Sequence, residues 1–295
     1  MIGRAVCHAL ATRGDQVVAL SRDRDRAAQA LGDQTEVFAW PDPVRRPPPV
    51  EALDGAAAVI HLLGEPVAQR WSQEAKRRIR ESRVGATRML VAALAELPEP
   101  RRPGVLVSQS ATGFYGPSDT RELDEGAPAG SDFLADVVRD WEAAAAAAGE
   151  LTRVVMTRTG VVLSPGGGAL AKMLPFFRAG VGGPVAGGHQ YVPWIHLDDV
   201  VAGLLFCLDR PELSGPVNLT APTPATNAEL SRALGRVLHR PAVLPVPAVA
   251  LRVLYGEMAQ IVTTGQRVLP KRLREAGFDF RHPELEVALR DVLAA

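Results

Sequence analysis

A chain of 295 residues, 47% hydrophobic and 22% charged, has ordinary globular composition and room for one large domain or a domain with a smaller lobe. Its 33 basic and 33 acidic side chains cancel, which argues against a broad nucleic-acid or anionic-membrane surface. Two cysteines, Cys7 and Cys207, stand far apart without a C-x-x-C, so they make no disulfide framework and fit a reducing, cytoplasmic compartment.

Ile2, Ala5, Val6, Ala9 and Leu10 recur at helical spacing until Gly14. This opening reads as an amphipathic helix, not a signal peptide, because it lacks a long apolar core. Val17 to Leu20 is an apolar run of parallel-strand type. Asp23 can cap a helix through Leu31, and Glu36 to Trp40 reads as a second strand. The proline-rich segment 41–50 is a loop or spacer, since proline removes donors and fixes φ. Val59 to Leu63 is the next strand, with Gly64 as its exit. The helix expected from Ser72 to Leu97 turns Ile79, Arg83, Ala86, Leu90, Leu94 and Leu97 inward, placing Arg83 on the apolar face. Val105 to Val107 and Val154 to Met156 are strands flanking an alanine-rich helix, Trp141 to Ala148.

This alternation predicts an α/β fold of doubly wound type, with helices on both faces of a parallel sheet and right-handed crossovers. After Gly160 the texture changes to the glycine loops 164–168 and 180–184. Trp194 to Asp209 reads as a short strand entering a helix capped near Asp198, and Pro216 to Leu219 as a further strand. The rest, 227–295, reads as a helical second lobe with proline breaks. The expected division is a Rossmann domain over 1–160, joined again by 194–220, and a substrate-side lobe over 161–193 and 221–295. The basic stretch Arg267 to Arg274 is expected to be a solvated helix face. The six histidines show no H-E-x-x-H and no close pairing, so no metal site is expected. No run approaches the ~20 apolar residues of a membrane helix.

In doubly wound folds the first strand is central, and a glycine-rich turn leads from it into the helix whose N-terminus meets a pyrophosphate. Here the chain opens inside that helix, with Gly3 in the place of the third glycine. A buried strand of ~5 apolar residues contributes roughly 10 kcal/mol, against a total stability of about 5–15 kcal/mol. The expectation is therefore a first strand missing from this chain and a start upstream of Met1.

Ser108-Gln109-Ser110-Ala111-Thr112-Gly113-Phe114-Tyr115-Gly116 resembles the S-S-A-x-V-Y-G segment of extended short-chain dehydrogenases and sugar-nucleotide epimerases. Trp194-Ile195-His196-Leu197-Asp198-Asp199-Val200 is similar to their F-I-H-V-D-D-V, and Val59-Ile60-His61-Leu62 to their V-I-H-L. Nearly the whole chain resembles an atypical group of this NAD-dependent epimerase/dehydratase-like family that carries a DUF1731-type C-terminal segment. Ser82-Arg83-Val84-Gly85, Trp141-Glu142 and Gly265-Gln266-Arg267-Val268-Leu269-Pro270 are among the supporting stretches. The resemblance implies a small-molecule substrate of unassigned identity and a homodimer through the helices after Ser72 and before Gly149.

Ser21-Arg22 directly follows the strand Val17 to Leu20, second in the fold once the missing first strand is counted, where an acid would favour NAD(H) and an arginine accommodates the 2′-phosphate of NADP(H). NADP(H) is therefore the expected cofactor. The resemblance adds Leu62 and Gly64 beside its ribose and the Arg158-Thr159 segment near its nicotinamide. Arg83 replaces a structural asparagine, facing a ligand phosphate or an acid, or extending its head to solvent over a buried stem. Catalysis in the family needs a tyrosine with a lysine four residues on and a serine that orients the carbonyl. Ser110 matches the serine. Tyr115, Tyr191 and Tyr255 are followed at the fourth position by Asp119, Ile195 and Ala259, so no Tyr-x-x-x-Lys exists. Alignment on Trp141-Glu142 puts Leu134 and Val138 in those two slots. Tyr115 is the alternative proton donor, with Glu65, Asp132 and His196 as weaker candidates; His196 also suits a structural role at its strand-to-helix join. Two functions stay open: an NADP(H)-dependent oxidoreductase or epimerase with noncanonical proton transfer, or an inactive NADP(H)-binding sensor or scaffold.

Overall fold

The computed structural model describes residues 1–118 and 120–294. In chain order the first half holds α1 (Ile2–Arg13), β1 (Val17–Ser21), α2 (Arg24–Leu31), β2 (Thr35–Ala39), β3 (Ala58–His61), α3 (Gln73–Glu96), β4 (Val105–Ala111), β5 (Glu122–Leu123), α4 (Phe133–Ala146) and β6 (Arg153–Thr159). Then come β7 (Val161–Leu163), α5 (Gly168–Arg178), β8 (Tyr191–Val192), β9 (Trp194–His196), α6 (Leu197–Asp209), β10 (Gly215–Leu219), β11 (Ala225–Thr226) and α7 (Asn227–Leu238). The last elements are α8 (Ala248–Tyr255), α9 (Gln260–Thr263), β12 (Arg267–Val268), α10 (Lys271–Glu275) and α11 (Leu285–Ala294).

The main sheet is parallel and runs β10-β6-β4-β3. Side chains alternate along each strand, so its two faces differ. Val105, Val107, Val155 and Val217 pack with Val6 of α1 and with Val200, Leu204 and Cys207 of α6. Leu106, Val154 and Met156 pack on the other face with Leu90, Ala93 and Leu94 of α3 and Ala145 of α4. Helices thus cover both faces, the doubly wound arrangement expected. The inward stripe of α3 is also as expected: Ile79, Ala86, Leu90, Leu94 and Leu97 are buried. The Ser72 side chain caps its start by accepting from Ala75 N–H.

β1 and β2 form a separate parallel pair, and among the described residues no strand joins β1 to β3. The two belong to one core all the same. Leu20 of β1 and Val59 of β3 pack on the same cluster, and Ala58 and Ile60 of β3 share the other face with α1. Central strands are buried on both faces. Here Ala58, Val59 and Ile60 are only half-buried and Val18 is exposed, while β4 and β6 are almost wholly buried.

Gly160 links the main sheet to the second half. Its N–H donates to Leu219 O, while Val161 N–H donates to Pro193 O at 2.6 Å and starts the β7–β9 ladder. Leu170, Leu174 and Phe177 of α5, Leu230 and Leu234 of α7, and Ala288, Leu289 and Val292 of α11 build a further core around Trp194. The glycine loop 180–188 is pinned to the segment 244–246 by backbone hydrogen bonds, including Val246 N–H to Pro184 O. Among the described residues no helix is long and apolar enough to cross a membrane.

Three element expectations change. α4 starts at Phe133, well before Trp141, because the Asp132 side chain caps it by accepting from Ala135 N–H. The cap of α6, expected near Asp198, is His196 in the structural role expected of it at this join: its Nδ1 accepts from Asp198 N–H at 3.0 Å. The stretch Arg267 to Arg274 is no uniform helix face. It begins as β12 paired with β5 and turns at Pro270 into α10, whose Arg272 donates to the Pro216 and Ser214 carbonyls.

Candidate functional site

Strand register brings three polar side chains into one row near the C-terminal ends of the main sheet. Ser110 on β4 pairs with Arg158 on β6, which pairs with Asn218 on β10. All three are buried, on the face covered by α4. Glu142 of α4 descends onto the row. Its carboxylate takes a bidentate pair from Arg158 (Nε to Oε1 and Nη2 to Oε2, each 2.8 Å) and a 2.6 Å bond from Ser110 Oγ. Arg158 Nη1 also donates to the Tyr115 hydroxyl at 3.0 Å, and that hydroxyl donates to Asn218 Oδ1 at 2.7 Å. The guanidinium lies 3.5 Å from the Phe114 ring centroid. Below it, the Glu125 carboxylate accepts from the backbone N–H groups of Asn218 and Arg272.

Electrostatics follow from this closure. Burial disfavours the Arg158 charge, but Glu142 and the Tyr115 hydroxyl outweigh it and hold the guanidinium above the ordinary arginine value. Burial pushes the Tyr115 hydroxyl up to about 12 despite the nearby Arg158. A proton donor tuned for neutral pH needs the opposite shift. Leu134 and Val138 lie where the missing tyrosine and lysine are expected, against Gly113: a Cβ there would sit 3.5 Å from Leu134 Cβ and 3.8 Å from Val138 Cγ2. They carry no proton-transferring group.

The residues expected at the cofactor stand elsewhere, at the strand exits. Gly3 in the first turn of α1 neighbours Leu62, with 3.8 Å between a built Cβ and Leu62 Cδ1. α1 has no side-chain acceptor at its N-cap, Met1. At the β1 exit the Ser21 hydroxyl donates to Asp23 O, and Ser21 O accepts from Trp40 N–H, which closes the turn. Arg22 is exposed and makes no side-chain bond among the described residues. Gly64 is exposed and abuts Arg83: a Cβ there would lie 3.1 Å from the guanidinium. Arg83 donates to the Glu65 and Ile79 carbonyls and lies over the Trp141 ring. Burial lowers its pKa to about 10, opposed by the Glu65 charge.

Of the predicted site residues, the structure therefore groups Ser110, Tyr115 and Arg158 in one enclosed network, and Gly3, Leu62, Gly64 and Arg83 around the β3 exit. Ser21 and Arg22 stand at the β1 exit. Thr159 is buried and bonds back to Thr157 O. The Arg158 side chain is committed to Glu142, so only the backbone of its segment can face a ligand. Asp132 serves as a helix cap, and Glu65 donates its N–H to Ser82 Oγ while its carboxylate lies 3.9 Å from Arg78. Asp119 lies outside the described residues. Glu142 and Asn218 were missed as site residues, although Glu142 directly follows the Trp141 used for alignment. A groove of about 810 Å³ along α1, lined by Arg4, His8, Ala11, Leu31 and Ser164 among others, contains none of the predicted site residues.

The two histidines that sequence spacing keeps apart do pair. His196 and His282 stack with ring centroids 3.8 Å apart.

A parallel sheet covered on both faces, with glycines and an exposed arginine at its strand exits, defines a protein of nucleotide-cofactor type. The sequence profile of the NAD dependent epimerase/dehydratase family matches residues 1–219, and that of a domain of unknown function, DUF1731, matches 246–292. The chain belongs to the epimerase/dehydratase family. It is 40% identical over 299 residues to the chloroplastic epimerase family protein SDR39U1 homolog of Arabidopsis thaliana, covering 99% of this chain and 84% of that one. It is 38% identical to the mouse epimerase family protein SDR39U1, covering 99% and 96%. The crystal structure of human SDR39U1 (isoform 2) with NADPH superposes with a TM-score of 0.88 at 34% identity, covering 100% of this chain and 96% of that one.

Proposed function

We propose that this chain is an NADP(H)-binding, oxidoreductase-like protein whose proton transfer, where it occurs, does not run through Tyr115. The observation that carries the cofactor reading is the likeness to the NADPH-bound human protein. The residues at the strand exits fit the same group. The uncapped N–H groups at the start of α1 would face the pyrophosphate, Arg22 would hold the 2′-phosphate, and exposed Gly64, at the β3 exit, would stand beside the ribose. When bound, the nicotinamide supplies hydride exchange with a carbon centre. The protein's part is to orient it and exclude water.

The closed network favours a second reading, an NADP(H)-binding sensor or scaffold. Ser110 Oγ is committed to Glu142 and Tyr115 to Asn218, so neither offers a free group to a carbonyl. Turnover on a panel of carbonyl compounds with NADPH separates the two. Loss in Ser110→Ala with cofactor affinity retained supports the enzyme; identical behaviour of variant and parent supports the sensor.

The cofactor assignment is tested by fluorescence titration with NADPH and NADH. Arg22→Ala is expected to weaken NADPH about 10- to 100-fold, the worth of a charge-assisted phosphate bond, and to leave NADH nearly unchanged. Absence of NADPH binding by the folded chain would overturn the reading.

A further inference from the structure

His196 stands at the N-terminus of α6, and His282 lies in the segment leading into α11. Asp198 of α6 and Asp291 of α11 converge on the stacked pair, so that one ligating atom from each of the four residues lies within 4.8 Å of every other. His282 Nε2 is 3.7 Å from Asp198 Oδ2 and 4.0 Å from Asp291 Oδ2. Neither carboxylate pairs with a lysine or arginine among the described residues. Two acids therefore face two imidazoles with no permanent cation between them. Buried imidazole nitrogens are also left over: His196 Nε2 and His282 Nδ1 have no hydrogen-bond partner. His196 is 3% exposed, and its Nε2 points into the cluster, 3.2 Å from Asp291 Oδ2 but out of line for a hydrogen bond.

The His196 tautomer assigns the roles. Its Nδ1 accepts from the Asp198 amide, so a neutral ring keeps its proton on Nε2 and has no lone pair there for a metal. His282 has no such restriction, since no hydrogen bond fixes its Nδ1. We propose that His282 Nε2, Asp198 and Asp291 bind a divalent transition-metal ion, with Zn²⁺ the best fit, and that His196 is a positioning residue whose Nε2–H, 3.2 Å from Asp291 Oδ2, comes into line with that carboxylate when the ion draws it in. One imidazole and two carboxylates with open positions for water suit zinc. With bonds of about 2.0–2.2 Å, tetrahedral ligands lie about 3.4 Å apart; the imidazole–carboxylate distances of 3.7 and 4.0 Å lie close to that, and the two half-exposed aspartates, within 4.8 Å of each other, have room to close the rest. A carboxylate ligand held by a neighbouring N–H is the usual outer support of such sites. The ion would tie α11 to the start of α6, beside Asp199, whose carboxylate already accepts the backbone N–H groups of Arg281 and His282.

The test uses the full, untagged chain stripped of metal. Competition with a chromophoric chelator should show one equivalent of Zn²⁺ bound, and Zn²⁺ should raise the unfolding temperature reversibly. Asp291→Asn and, independently, Asp198→Asn alter half-exposed side chains and should weaken binding at least about 100-fold. His196→Asn keeps a helix-cap acceptor and should weaken it about tenfold, with the stoichiometry unchanged. Absence of stoichiometric binding by the folded parent, or binding that persists in both aspartate variants, would overturn the proposal.

Discussion

At the scale of single residues, the decisive feature is a charge that cannot be left alone. Arg158 is 3% exposed and Glu142 is its carboxylate partner. Removing one member of a buried pair strands the other, at a cost of about 3–5 kcal/mol. Glu142→Gln is therefore expected to lower the unfolding free energy by about that amount in urea titrations. Ser110→Ala, which deletes one hydrogen bond and leaves the ion pair intact, should cost only about 1 kcal/mol. Equal losses would show that the pair does not hold the row together. Ser110 and Tyr115 were legible in the sequence because they sit in a recognisable motif. Their enclosure was not, because the partners are remote: Glu142 is 32 positions from Ser110, and Asn218 is 103 from Tyr115. Strand register aligns them, and register is set by the whole sheet. The inward position of Arg83 was legible because helical steps of three and four are a local property.

At the scale of elements, the join between β6 and β7 is the tightest point described. A Cβ on Gly160 would lie 2.0 Å from the Pro193 carbonyl oxygen, a backbone atom that cannot turn aside. Gly160→Ala should therefore shift the β7–β9 ladder away from the main sheet and cost about 1–3 kcal/mol or more, read as a lower unfolding temperature. An unchanged melting curve would mean that the strands separate there without penalty. The glycine was visible in the sequence as a change of texture, but the approach of Pro193 was not. The start of α4 shows the converse. Asp132 followed by Phe133, Leu134, Val137 and Val138 carries a cap and a helical apolar pattern, a weaker local signal than the alanine run that follows it. The absence of close histidine pairing was a statement about sequence distance, and the fold brings His196 onto His282 across that distance.

At the scale of the whole molecule, the sheet is divided between β1 and β3 while its core is shared. The doubly wound pattern was legible, since strand and helix periods can be read locally. A variant extended at its N-terminus by about five apolar residues and a glycine-containing turn should place a strand in this division. Burying those side chains is worth up to roughly 10 kcal/mol, so denaturant unfolding should shift to markedly higher midpoint, and NADPH affinity should rise. An extension that leaves both unchanged would show that the division is closed to a strand. The same feature bears on how the chain behaves among other polypeptides. β1 and β3 each keep an edge that pairs with no strand among the described residues, and such unpaired edges recruit extended segments of other chains. With a formal charge of zero no net-charge repulsion opposes the encounter between copies, so the yield on refolding is expected to fall as concentration rises, read by light scattering.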